Sequence, residues 1–144
     1  GPEGEGTTKG PVIQFTPSDY GKWVTRNGRS GVGFPAAMTP YGVDRVTDAQ
    51  FDEIIDYLHA QTRPTTGEGL YMNFCANCHG VGNQNGPASE SLAGRPDSTD
   101  DIRNGKGGTN YGSRLLYMPR WSAAELTDAE VDLINAYIAA LPAL

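Results

Sequence analysis

Two cysteines stand three residues apart, and a histidine follows the second: Cys75-Ala76-Asn77-Cys78-His79. C-x-x-C-H is the attachment pattern for a c-type haem. The two thiols form thioether bonds to the haem vinyl groups, and the next residue supplies an imidazole to the iron. These are the only two cysteines, so attachment would use every thiol in the chain. Zinc would need four ligands, and besides the thiols the chain offers His59 and His79. A redox C-x-x-C belongs with a βαβ pattern, and none is visible. The residues favour one covalent haem c, with iron as its metal.

The elements around the motif must come from a loop-rich chain. Its 144 residues suffice for one ordinary domain or two very small ones. The hydrophobic fraction is 38%, and 19 glycines and 10 prolines leave much of the backbone outside regular structure. A large apolar cofactor would supply core that the side chains do not. No apolar run approaches the length of a transmembrane span, so no transmembrane segment is expected in this chain. No secretory leader stands at Gly1, and the sequence reads as a mature or trimmed form. Haem is attached covalently outside the cytoplasm, so the motif implies a periplasmic or otherwise extracytoplasmic location. The net charge of −6, from 11 Lys and Arg against 17 Asp and Glu, excludes a nucleic-acid partner: no basic run exists to neutralise phosphates. A redox partner with a basic docking face suits it better.

Part of the chain repeats. Arg26-Asn27-Gly28, Met38-Thr39-Pro40, Thr47-Asp48-Ala49 and Tyr57 match Arg103-Asn104-Gly105, Met118-Pro119, Thr127-Asp128-Ala129 and Tyr137. From Met38 onward the offset is 80 residues, and at Arg-Asn-Gly it is 77. The first copy has no C-x-x-C-H. Residues 1–62 are therefore read as a haemless half-repeat that packs on the haem domain, and 63–144 as the complete haem-binding domain, joined through Pro64, Thr65 and Thr66.

Thr47 is a good N-cap for a helix from 48 to about 60, with Phe51, Ile54, Ile55 and Leu58 on one face. Thr127 caps a matching last helix with Val131, Ile134, Ile138 and Leu141 on one face. Thr66 caps a third helix, from 67 to about 75, that runs into the motif. Short helical turns are expected at 18–25 and 98–103, and loops at 80–97 and 105–122. The fold class is all-α, with long loops around a haem and a short N-terminal helical extension. Asp48, Asp52, Glu53 and Asp56 are expected to form a solvated helix face.

Residues 63–144 resemble a class I cytochrome c. Gly67-x-x-Leu70-Tyr71-x-x-x-Cys75-x-x-Cys78-His79-Gly80 is similar to that family's first helix and attachment site. Met118-Pro119 is similar to its distal-ligand loop, and Leu126-Thr127-Asp128 through Tyr137-Ile138 to its terminal helix. The resemblance implies a cytochrome c-like helical fold and one haem with His79 and Met118 as axial ligands. It also implies a helix crossing with Gly67, Tyr71 and Tyr137 at the contact.

The residue chemistry agrees. His79 should donate its other ring nitrogen to a backbone carbonyl, for which the region of Pro87 is the candidate. A thioether is a soft, neutral ligand that favours ferrous iron. Met118 precedes Pro119, whose fixed φ stiffens the presenting loop, and it lies 39 residues beyond His79. Met38, Met72, His59 and an open position stand as alternatives. Arg95, Arg103, Arg114 and Arg120 are candidate partners for the haem propionates. Tyr111, Tyr117 and Trp121 flank the methionine. The expected function is single-electron transfer between redox proteins, with no substrate turned over. The alternatives are a subunit or fragment of a larger dihaem cytochrome, and a haem enzyme or sensor with a labile distal ligand.

Overall fold

The two longest helices begin in the same way. Thr47 and Thr127 each accept a hydrogen bond from the backbone N–H three residues on, and Gln50 and Glu130 reach back to the threonine N–H. Such reciprocal boxes satisfy N–H groups that a helix start leaves open. The computed structural model describes residues 1–8, 10–29, 37–82, 84–86, 89–112 and 117–142. Its helices are α1 (Ser18–Asn27), α2 (Asp48–His59), α3 (Gly67–Phe74), α4 (Ala76–His79), α5 (Thr99–Asn104) and α6 (Asp128–Ala140). Among the described residues there is no strand, and the class is all-α. Isolated bridges pair Thr7 with Gly10, Arg29 with Met38 and Lys106 with Met118. The backbone divides into two compact units, Gly1–Thr62 and Arg63–Leu144.

In the first unit, α2 buries Phe51, Ile55 and Leu58. Their cover comes from the unit itself. Gly21 of α1 lies against Phe51 and Ile55, Gly4 lies against Leu58, and Lys22 sits 5.3 Å from the centre of the Phe51 ring. Ile54, expected on that face, is instead 48% exposed. It lines a surface groove with Val46 and Tyr57 at the edge of the stripe. Asp48, Asp52, Glu53 and Asp56 form the exposed face of α2 as expected, and two of them make surface ion pairs, Asp48 with Arg26 at 2.8 Å and Asp52 with Lys22 at 3.3 Å.

In the second unit, α3 packs across α6. Leu70, Tyr71, Val131, Ile134 and Ile138 are at most 1% exposed, and the Tyr71 and Tyr137 ring centroids are 5.3 Å apart. Gly67 sits at the closest approach, where a Cβ would lie 2.2 Å from the Leu133 carbonyl oxygen. Leu141, expected at the end of the α6 stripe, is the residue that caps the helix.

The Arg-Asn-Gly stretches share one local geometry. Arg26 donates from Nη1 to the Tyr41 carbonyl and from Nη2 to Asp48. Arg103 donates from Nη1 to the Trp121 and Leu126 carbonyls and from Nη2 to Asp128. Gly28 and Gly105 follow with φ of 73° and 62°, in the left-handed region open to glycine. A Cβ there would strike the Met38 or the Met118 carbonyl oxygen, at 2.5 Å and 2.7 Å. The glycine thus lets the methionine segment return against its helix end.

Candidate haem site

The attachment residues sit where one helix stops and a single turn begins. Cys75 ends α3 with φ −120°, ψ −44°, and its carbonyl accepts from the His79 N–H at 3.0 Å. The Tyr71 hydroxyl, buried beneath the turn, donates to the Gly80 carbonyl at 2.9 Å. That bond ties the end of the motif to the α3–α6 core. Burial pushes the Tyr71 phenol up to about 12, so it stays an uncharged donor.

The His79 Nδ1 lies 2.9 Å from the Glu90 carbonyl oxygen. A carbonyl can only accept, so Nδ1 carries the proton and Nε2 keeps its lone pair. Burial lowers the His79 pKa, the Glu90 carbonyl opposes that shift, and the charges of Arg95 and Lys106 add to the lowering. The ring is held neutral, as a metal ligand must be. The acceptor is therefore Glu90, three residues beyond Pro87 in the same loop, and Pro87 itself lies outside the described residues. The chain has turned back by then: Ser89 N–H donates to the Cys78 carbonyl at 3.1 Å, which aligns Glu90 with the ring.

Met118 is held by both its backbone groups. Its carbonyl accepts from Lys106 N–H at 2.9 Å, and its N–H donates to the Lys106 carbonyl at 3.0 Å. Cys75, Cys78, His79 and Met118 line one cavity of about 440 Å³, together with Tyr117 and Trp121. This is an ordinary size for a cofactor site. Phe74 packs edge-on against Trp121 at 5.1 Å, and Tyr111 edge-on against Tyr117 at 5.0 Å. A cavity walled by two thiols that form no disulfide, a neutral imidazole, a thioether and aromatic rings fits a haem.

The Cys75 thiol does not suit a redox-active pair. Burial first, and then Cys78, push the Cys75 thiol up to about 12. A redox-active cysteine needs its pKa lowered. Among the described residues, no group of three His, Cys, Asp or Glu is placed to hold a metal ion. His59 directs Nε2 at the Thr16 carbonyl, 2.9 Å away within the first unit. Met72 packs against the core of the second unit, and Met38 is bridged to Arg29.

The candidate arginines separate by position. Arg103 is a structural pin, with its guanidinium directed at two carbonyls and Asp128. Arg120 is exposed and does not line the cavity, while Arg114 lies outside the described residues. Arg95 lines the cavity and pairs with Asp101 at 3.5 Å. Sequence reasoning passed over Lys106, which lines the cavity beside it and reaches Asp101 at 3.1 Å. The available signal was a lysine at the start of the loop that ends in Met118.

The helix crossing, the attachment turn and the cavity define a cytochrome c-type domain, a class that carries electrons on haem iron. Residues 62–138 match the family model described as cytochrome c oxidase, cbb3-type, subunit III, and the chain belongs to that family. No curated protein and no solved structure matches the chain. No helix among the described residues is long and apolar enough to cross a membrane.

Proposed function

We propose that residues 63–144 form a monohaem electron carrier that works outside the cytoplasm, in the periplasm or an equivalent compartment. Cys75 and Cys78 would anchor the haem covalently, and His79 and Met118 would hold its iron. The observation that carries this reading is the Glu90 carbonyl, which leaves Nε2 of a neutral His79 as the free nitrogen in a cavity shared with both thiols and Met118. Haem supplies the Fe(III)/Fe(II) couple. His79 is fixed in orientation by Glu90 and in position by Cys78, and Met118 is fixed by its bridge to Lys106. Rigid ligands would keep reorganisation small, and with both side chains engaged on the iron the domain would act as a carrier and not an enzyme. Its donor and acceptor are redox proteins, and its acidity suits a partner with a basic docking face. Replacing Met118 by Ala tests the assignment. A low-spin ferric spectrum should become high-spin or water-ligated, and the potential should fall. An unchanged spectrum would move the ligand elsewhere, and a wild-type protein already high-spin would favour the enzyme or sensor reading.

A second reading is supported by the shared geometry of Arg26–Gly28–Met38 and Arg103–Gly105–Met118. Residues 1–62 then descend from the ligand-loop half of another haem unit, and the natural polypeptide is a dihaem cytochrome. Haem content per natural polypeptide separates the two: one haem supports a carrier with a haemless half-copy, and two support the dihaem protein. For the half-copy we propose that it covers part of the haem domain. Val43, Ile54 and Tyr57 are exposed and offer apolar surface for such packing.

A further inference from the structure

Of the buried side-chain polar atoms without a partner, which include Asn73 Oδ1 and Asn77 Oδ1, the Ser98 hydroxyl belongs to a residue that lines the cavity. Ser98 is 6% exposed and lines the cavity, and its hydroxyl makes no hydrogen bond. Its backbone is fully used: the N–H donates to Asn135 Oδ1 at 3.0 Å, and the carbonyl accepts from Ile102 N–H at 3.0 Å. Asn135 is itself fixed, donating from Nδ2 to Asp97 and Thr99. The hydroxyl is thus held in place, and a buried hydroxyl left unpaired carries a free-energy cost. Arg95 and Lys106 line the same cavity, and Asp101 holds both, at 3.5 Å and 3.1 Å. Asp101 thus draws the two cations together at the cavity, leaving each with donor N–H groups beyond that one carboxylate.

We infer that Ser98, Arg95 and Lys106 form the site that binds the haem propionates, with Asp101 positioning the two cations. The inference rests on the haem reading above and deepens it by naming which part of the cavity takes the carboxylates. The chemistry matches: a propionate accepts from the Ser98 hydroxyl, from the planar guanidinium fork of Arg95 and from the ammonium of Lys106. It also separates Arg95 from Arg103 and Arg120, which the sequence alone leaves equivalent.

The test uses the full chain carrying haem, compared as wild type, Ser98→Ala, Arg95→Gln/Lys106→Gln and Arg120→Gln. Ser98→Ala removes a hydroxyl that bonds to nothing in the protein, and Arg95 and Lys106 are more than half exposed, so these variants should fold. Resonance Raman reads the propionate bending band, which falls in frequency when hydrogen bonds to the propionates are lost. Redox titration reads the reduced-to-oxidised ratio at a fixed solution potential. Ser98→Ala should shift the band. The double variant should shift it further and lower the ratio about three- to tenfold, because lost positive charge favours ferric iron. Arg95→Lys should restore the ratio more than the band, since it keeps the charge and loses the fork. Arg120→Gln should match wild type. If the bands of Ser98→Ala and the double variant coincide with wild type while haem is present by mass, the inference is wrong and the haem reading stands. Wild-type protein without haem would overturn both.

Discussion

Replacing Gly67 by Ala probes the contact on which the haem turn is built. The new Cβ would lie 2.2 Å from the Leu133 carbonyl oxygen and 3.1 Å from the Tyr137 Cβ, where ordinary contact begins near 3.4 Å. The nearest obstacle is backbone of α6, so no side chain can swing aside. Either α3 and α6 part by roughly 1 Å or the first turn of α3 unwinds. A gap of that size forfeits a quarter to a half of the attractive well at each contact it opens, and the contacts here involve Leu70, Tyr71, Ile134 and Ile138, all but fully buried. Overpacking costs about 1–3 kcal/mol. Ala offsets less than about 1 kcal/mol of this through its lower chain entropy. A net loss of about 1–2 kcal/mol is expected. Guanidinium unfolding of the haem-loaded protein, followed by haem absorption, should show an earlier midpoint at unchanged slope. Gly10→Ala is the control, since a Cβ there meets nothing within 4 Å. A Gly67→Ala protein as stable as wild type would refute the close crossing.

Other perturbations address the rest of the account. Bidentate hydrogen bonding from Arg63 is the chief cause that holds the Glu130 carboxyl near pH 2 instead of 4.5. A depressed carboxylate stabilises the fold fully above pH 4.5, and that stability is lost as pH falls from there through about 2. Glu130→Gln should keep the capping box, as Gln50 does in α2, yet lose about 1–2 kcal/mol at neutral pH after screening at the 37% exposed Arg63. Its stability should also vary less with pH between about 5 and 2 than wild type's; an unchanged acid profile would show that the pair contributes nothing. Tyr71→Phe leaves the Gly80 carbonyl without its buried donor and should cost about 1–2 kcal/mol in the same unfolding assay. Equal stability would mean that the hydroxyl does not secure the motif. Deleting residues 1–62 should expose the haem and lower its potential if the half-copy covers it, and an unchanged spectrum and potential would make that unit an independent appendage.

Much of the site was legible because its chemistry demands adjacency. The proposed thioether bonds and an imidazole on one iron would need Cys75, Cys78 and His79 in sequence, and the close helix crossing requires a residue like Gly67. The threonine caps were legible for the same reason, since a cap acts within four residues. Long-range partners carried no such signal. Any backbone carbonyl can accept from His79, so nothing in the side chain of Glu90 announced its role. Arg95 and Arg103 are one residue type in one stretch of chain, and only the fold turns the first to the cavity and the second to the Trp121 and Leu126 carbonyls. Ile54 fits the apolar period of α2, but the cover from α1 and the segment around Gly4 reaches Phe51, Ile55 and Leu58 and stops short of it.

The most direct test of the central claim is the mass of the denatured protein made in a host competent for cytochrome maturation. The account predicts polypeptide plus one haem, still attached after unfolding because Cys75 and Cys78 hold it covalently. A mass equal to the bare polypeptide, with both thiols free, would contradict it.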